Sequence, residues 1–165
     1  MGDMPYHAYD APGEYEVSLT GHVTGFWPTY GIELQRYAIK NVTQWGDLVV
    51  DSWSVNSSVE DDDYPVYGGL FTGRRMFDIS ALDSPTFPPN CSIISMFEGT
   101  YFNSDISHWD VSNVRDMSWM FYATEKFNQD LTGWDVSNVF FWEDFAFDSD
   151  YESYPERWPR FVSLD

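Results

Sequence analysis

Apolar and polar positions repeat along the C-terminal half of the chain. Residues 102–117 read FNSDISHWDVSNVRDM, and residues 127–142 read FNQDLTGWDVSNVFFW. At an offset of 25 residues, nine of the first thirteen positions are identical, which two unrelated segments would not show. This self-similarity is typical of repeat architectures, in which each repeat packs its apolar face on its neighbours.

Weaker copies flank this pair. Phe87, Ile93, Met96 and Phe97 match apolar positions 24 residues further on, and the segment after residue 139 keeps only part of the pattern. We therefore expect three to four repeats between about residues 70 and 147, which meets the minimum of about three that a stacked array needs.

Within one repeat, the apolar spacing L-x-x-L-x-L followed by Asn is that of a leucine-rich repeat, with Trp in one Leu position. It predicts a strand over residues 106–111 and a single helical turn over residues 116–121. The predicted fold is an α/β, β-dominated leucine-rich-repeat solenoid of three to four short coils, in which Trp109 lies over Trp134. The predicted core consists of Phe102, Ile106, Trp109, Val111, Val114, Met117, Met120, Phe121, Phe127, Leu131, Trp134, Val136 and Val139.

The same stacking predicts a polar ladder, with Asn113 over Asn138 and Asp110 over Asp135. A buried Asn can bond the backbone of a turn and so close each coil. Two carboxylates that face each other repel by several tenths of a kcal/mol. Either each carboxylate accepts N–H groups of a turn, which we favour, or a cation bridges the pair.

Three regions follow from these patterns. Residues 1–52 alternate apolar and polar positions between Gly and Pro turns, which predicts a β-rich N-terminal cap that shields the first coil. Residues 53–147 form the predicted repeat array, and residues 148–165 form a C-terminal capping tail.

The last repeat departs from the pattern. Where the preceding repeat has RDM at 115–117, this one has FFW at 140–142. One explanation is that Tyr154, Trp158 and Phe161 of the tail fold back over these rings. The other is that the rings contact another subunit. The residues predicted for such an interface are Trp119, Phe140, Phe141 and Trp142.

Composition narrows the function classes. Eight basic against 27 acidic residues give a net charge of −19, which opposes binding to nucleic acids and to anionic membranes. With 19% aromatic residues, the chain has ample material for a core. One cysteine, Cys91, excludes an intrachain disulfide. The first residues lack the features of an export signal, so we expect synthesis in a host cytoplasm, and nothing predicts membrane insertion.

No motif predicts catalysis. Phosphate-binding loops, the G-x-S-x-G motif and the H-E-x-x-H motif are all absent from the sequence, and the three histidines lack metal-ligand spacing. The acidic run at 60–63 lacks the spaced ligands of a calcium loop, and a solvated loop explains it better. Paired aspartates recur once per repeat, whereas an active site occurs once, which argues against a glycan-degrading enzyme. We predict no catalytic residue, no metal and no cofactor.

Two stretches resemble the BspA-type leucine-rich repeats of bacterial surface proteins, whose signature is MFxGAxxFNQDLSxWDVSNVxxM. They are MFEGTYFNSDISHWDVSNVRDM, at 96–117, and MFYATEKFNQDLTGWDVSNV, at 120–139. The segment LFTGRRMFDISALDSPTFPPN, at 70–90, resembles the opening coil of such arrays. The motifs YDAPGEYEVSLTGHVTGF and VTQWGDLVV resemble their β-rich leader.

The resemblance implies an adhesive or interaction module of bacterial surfaces or of tailed phages. Few repeats and no export signal favour a phage virion component, exposed at the head or tail and assembled with other virion proteins. A homo-oligomer is expected, and a host-surface receptor or glycan is a further candidate partner. The alternative is a bacterial cell-surface adhesin.

Overall fold

A computed structural model describes residues 22–23, 40–50, 70–73 and 77–162. Within those ranges the chain forms no α-helix. Most of the predicted N-terminal cap and the acidic run at 60–63 lie outside the described residues. The strands are β1 (His22–Val23), β2 (Asn41–Val42), β3 (Val49–Val50), β4 (Asp78–Ile79), β5 (Cys91–Ser92) and β6 (Val114–Asp116), and two 3-10 helices follow at Asp150–Ser153 and Pro155–Arg157.

All strand pairs in this described part are parallel. β1 pairs with β3, β2 with β4, and β5 with β6. Isolated parallel bridges join Val49 to Thr86 and Asp116 to Phe141. Because parallel neighbours need a long crossover connection, the chain travels through a whole repeat before it returns beside itself. We name residues 77–100 the first layer, 102–124 the second layer and 127–148 the third layer.

The layers are joined by a regular backbone ladder. In the second layer, alternate N–H groups donate to carbonyl groups of the third layer at 2.8–2.9 Å. Between them, the N–H groups of Met120 and Tyr122 close turns on carbonyls three residues earlier, and the N–H of Ser118 donates to the Asp116 carboxylate at 2.9 Å. This alternation satisfies the backbone both within a layer and between layers. The donors to the third layer are Met117, Trp119, Phe121 and Ala123, and their acceptors are Phe141, Glu143, Phe145 and Phe147.

The helical turn expected over residues 116–121 is therefore wrong. Trp119 has a φ of 53°, and its counterparts Ser95 and Asp144 have φ of 54° and 49°. A residue in the left-handed region interrupts a right-handed helix. The inter-layer hydrogen bonds take the N–H groups that a helix would use internally.

The strand expected over residues 106–111 is also wrong, because this segment turns. The Asp105 carboxylate accepts the N–H of Ser107 at 2.9 Å, and the N–H of Trp109 donates to the carbonyl of Ile106 at 3.1 Å. The second layer instead has its strand at β6. The segment forms an Asx-type turn and not an extended strand, because the Asp side chain stabilises a bend by accepting the backbone N–H two residues further on.

A spine of aromatic rings, stacked in the inner layers and edge to face at its C-terminal end, fills the core. Two columns run through the layers, with neighbouring ring centroids 4.9–5.7 Å apart within each column. Rings also contact across the columns at 4.3–4.6 Å. All thirteen residues predicted for the core are buried. One column is Phe71, Phe97, Phe121 and Phe145, and the other is Phe77, Phe102, Phe127 and Tyr151.

Part of the N-terminal region lies against the first layer. The Asp83 carboxylate accepts the N–H groups of Trp45 and Gly46 at 3.0 and 2.7 Å. These bonds, with that of Trp45 first, lower the pKa of Asp83. The Trp45 ring meets Trp109 edge-on at 5.4 Å. Residues 40–50 therefore stand beside the first layer as a preceding layer would.

Candidate interaction surface

The third layer has an uncovered backbone edge. It receives the ladder bonds of the second layer on one side. On its other side, the N–H groups of Trp142, Asp144 and Ala146 continue the series of donors and have no hydrogen-bond partner among the described residues. The N–H of Asp148 is satisfied by the Glu152 carboxylate at 3.0 Å. The edge thus keeps three donors that could bind carbonyl groups of an added strand.

Three phenylalanines of this layer are exposed. Phe140, Phe141 and Phe147 have 43, 55 and 51% of their surface accessible. The guanidinium of Arg115 lies over the Phe140 ring, 4.5 Å from its centroid. Tyr122 stacks on Phe147 at 5.9 Å. The rings of Phe140 and Phe147 are therefore each covered on one face by a side chain of the second layer.

Exposed carboxylates flank the rings. Glu143 and Asp144 both lie at the surface of the third layer. One oxygen of Asp144 accepts the indole N–H of Trp119 at 3.2 Å. We call Phe140, Phe141, Glu143, Asp144 and Phe147 the terminal surface. It combines apolar ring faces with negative charge, which is the combination that attracts a cation to an aromatic ring.

The structure supports the first explanation, cover by the tail, for only part of the predicted interface. Phe140 and Phe141 are exposed. Trp142 is half-buried, because Phe161 of the tail stacks parallel to it at 5.1 Å. Trp119 is also half-buried in the second layer. The tail covers one part of the aromatic cluster and leaves another part open.

The tail caps the spine rather than the terminal surface. Tyr151 is fully buried against Phe127, and its hydroxyl donates to the carbonyl of Arg157 at 2.6 Å. Burial raises the pKa of Tyr151, so the hydroxyl stays protonated. Trp158 packs edge-on against Phe145 at 5.8 Å. The two aromatic columns therefore end under residues of the tail.

The asparagines of the predicted ladder are exposed, so their predicted burial is wrong. The Asn113 amide donates to the carbonyl of Phe87 at 3.1 Å, and the Asn138 amide donates to that of Ser112 at 2.8 Å. Each bond spans 26 residues. Each amide therefore ties its layer to the preceding one instead of closing its own turn. The repeated Asn is explained by this contact at the edge of the core.

The aspartates accept hydrogen bonds from turns. Asp110 accepts the hydroxyl of Ser112 at 2.6 Å and its N–H at 3.1 Å. Asp135 accepts the N–H of Ser137 at 3.1 Å. The Ser112 hydroxyl, followed by its N–H, lowers the pKa of Asp110, and Ser137 does the same for Asp135. The first of the two alternatives weighed for these carboxylates is thus present in the structure.

Other groups that could carry chemistry are dispersed. Within the described ranges, no three His, Cys, Asp or Glu side chains are grouped so that they could hold a metal ion. The Cys91 thiol is buried beside the carbonyl of Val50, at 3.3 Å. In the same part of the chain, no helix has the length and hydropathy that a membrane span requires.

Comparison with models of protein families gives a match. Residues 69–155, more than half of the chain, match the family described as Mycoplasma protein of unknown function, DUF285. This family has BspA-like repeats, so the match confirms that part of the resemblance seen in the sequence. No curated protein and no solved structure matches the chain.

Proposed function

Since the chain belongs to the DUF285 family, we propose that it is a non-enzymatic interaction protein built as a short leucine-rich-repeat solenoid. Parallel layers 24–25 residues apart, joined by backbone bonds and filled by a continuous aromatic spine, support this fold. Such an array is a rigid support for a surface, and its chemistry lies in the side chains that it presents.

The working site is the terminal surface. Phe140 and Phe141 are exposed where the second layer has Arg115 and Asp116. Exposed aromatic rings beside an unpaired strand edge are typical of protein contacts. This one observation carries the proposal. Phe161 of the tail covers the neighbouring Trp142, whereas Phe140 and Phe141 are left exposed.

We place this interaction in a phage virion, as a component exposed on the head or tail that contacts neighbouring subunits or the host surface. The test uses an antibody against the chain and particles purified on a density gradient from cultures of the source. Label on intact particles is the expected result. Label that stays in the particle-free fraction would contradict it.

A second candidate is a protein of the bacterial cell surface. The family description names a Mycoplasma protein, which favours a cellular setting. The same antibody distinguishes the two, because an adhesin would label intact cells and not particles.

Variants connect either location to the terminal surface. Phe140→Ser with Phe141→Ser should abolish attachment to the particle, since the two ring faces that form the contact would be lost. Leu82→Ser is the control, because Leu82 is 94% exposed and lies in the first layer. Normal attachment of the double variant would show that another face is used.

A further inference from the structure

The aromatic rings of the terminal surface indicate what kind of group a partner would place on them. A cation already packs on one of its rings, since Arg115 of the second layer lies over Phe140. Two other cation–ring contacts occur among the described residues, with Lys126 over Tyr101 at 5.4 Å and Arg157 over Tyr154, within the tail, at 4.8 Å. Cations thus pack on rings at three places in the described part of the chain, and within that part Phe141 of the terminal surface has no cation on its ring.

Charge decides between classes of partner. Glu143, Asp144 and Asp148 are exposed along the third layer, and the whole chain carries a net charge of −19. A second copy would place the same carboxylates opposite these, and like charges face to face oppose binding. A cationic partner would gain attraction from both the carboxylates and the rings.

We propose that the terminal surface binds an extended, arginine-bearing segment of another protein. Guanidinium groups stack on Phe140 and Phe141 and bind the carboxylates of Glu143 and Asp144. Arginine fits better than lysine, because its planar group can stack and donate to a carboxylate at once. The inference rests on the proposed function and names the partner's chemistry.

The backbone adds a second point of recognition. The N–H groups of Trp142 and Asp144 lie two residues apart, as the donors Met117 and Trp119 do in the preceding layer. Met117 donates to the carbonyl of Phe141 at 2.8 Å. A parallel segment laid on the third layer can accept these two N–H groups through its own alternate carbonyls, as an added strand does.

The test measures the binding of synthetic peptides by fluorescence anisotropy. The probe is a short labelled peptide in which Arg alternates with Thr. The control peptide has citrulline, which is uncharged, in place of each Arg. The full chain should bind the Arg peptide at least about tenfold more tightly than the citrulline peptide. Added salt should weaken the binding, because the contact is electrostatic. Equal affinity for both peptides overturns the proposal.

A matched pair of variants separates the site from the general charge of the chain. Glu143→Gln with Asp144→Asn should weaken Arg-peptide binding by about tenfold. Asn tolerates the left-handed backbone of Asp144, whose φ is 49°. Glu125→Gln with Glu156→Gln removes the same charge from exposed positions elsewhere and should leave the affinity unchanged. If both double variants lose the same affinity for the Arg peptide, the attraction is due to the general charge of the chain, and the proposed site is wrong.

A ring variant tests the aromatic part. Phe141→Ser should weaken binding of the Arg peptide by about tenfold. Circular dichroism should show that the variant keeps its fold. Self-association of the parent that Phe141→Ser abolishes would identify a second copy as the occupant and overturn the proposal. If no peptide binds but the antibody still labels particles, the proposal of an arginine-bearing partner is wrong and the proposed function stands.

Discussion

The second and third layers share one half of their sequence and differ in the other. In the shared half, WDVSNV occurs at both 109–114 and 134–139. The same contacts recur there, since Asp110 and Asp135 each accept the N–H of the serine two residues on. In the other half, RDM of the second layer becomes FFW in the third.

The difference follows from what covers each layer. Met117 of the second layer is fully buried, and its N–H is bonded to the third layer. The corresponding Trp142 is half-buried under Phe161, and its N–H is unpaired among the described residues. At this position, a layer inside the stack has a compact apolar side chain, whereas the outermost layer has a large ring that a tail or a partner can cover.

Replacement of a ring inside the stack should have the largest effect. Phe121→Ala should lower the free energy of unfolding by about 3–5 kcal/mol, because it leaves a cavity between Phe97 and Phe145. Trp109→Ala, which removes another buried ring, should cost a comparable amount. Chemical denaturation monitored by circular dichroism measures both.

The matched replacement lies in the outermost layer. Phe141→Ala removes a ring that is 55% exposed, so stability should change by less than about 0.5 kcal/mol. If Phe141→Ala destabilises as strongly as Phe121→Ala, the ring of Phe141 is packed and the distinction between the layers is wrong.

The sequence predicts much of the second layer, because an almost identical copy follows it. Offsets of 24–25 residues and the apolar positions place Phe102, Trp109 and Met117 in the core, where they are buried. The spine could be found in part, since Phe97 recurs as Phe121. Its end at Tyr151 could not, because the tail shares no sequence with the repeats.

The local conformation is harder to predict than the repeat. The segment 116–121 has the spacing of a helical turn, but hydrogen bonds to the next layer decide its conformation and place Trp119 at a φ of 53°. The exposure of Phe140 and Phe141 could not be derived either. It depends on where Phe161 packs, and Phe161 is about twenty residues away in sequence.

Loss of the aspartate in either shared half should lower stability by a similar amount, and by less than loss of a ring inside the stack. Asp110→Ala removes the acceptor of the Ser112 N–H and hydroxyl, which should cost less than about 1 kcal/mol at this exposed position. Because the fold lowers the pKa of Asp110, the stabilisation is present above about pH 4 and is lost as the pH falls through the folded-state value.

Melting temperatures of parent and Asp110→Ala between neutral and acidic pH test this. The gap between the two should be present at neutral pH and close in acid, and Asp135→Ala should follow the same course. A gap that widens as the pH falls would mean that the carboxylate is stabilised in its protonated form.

Removal of divalent cations should have the smallest effect. The aspartates already accept turn N–H groups, so a chelator should leave the melting temperature unchanged. A fall of more than about 5 °C that calcium alone reverses would show that a cation bridges the stacked carboxylates.

Amide hydrogen exchange, followed residue by residue by NMR, tests the central comparison most directly. The N–H groups of Met117, Trp119 and Phe121 bond to the third layer and should exchange slowly. Those of Trp142 and Asp144 occupy the same places one layer further out and should exchange fast. Equal protection at both sets would mean that the third layer is covered in the free protein, which would contradict an open terminal surface.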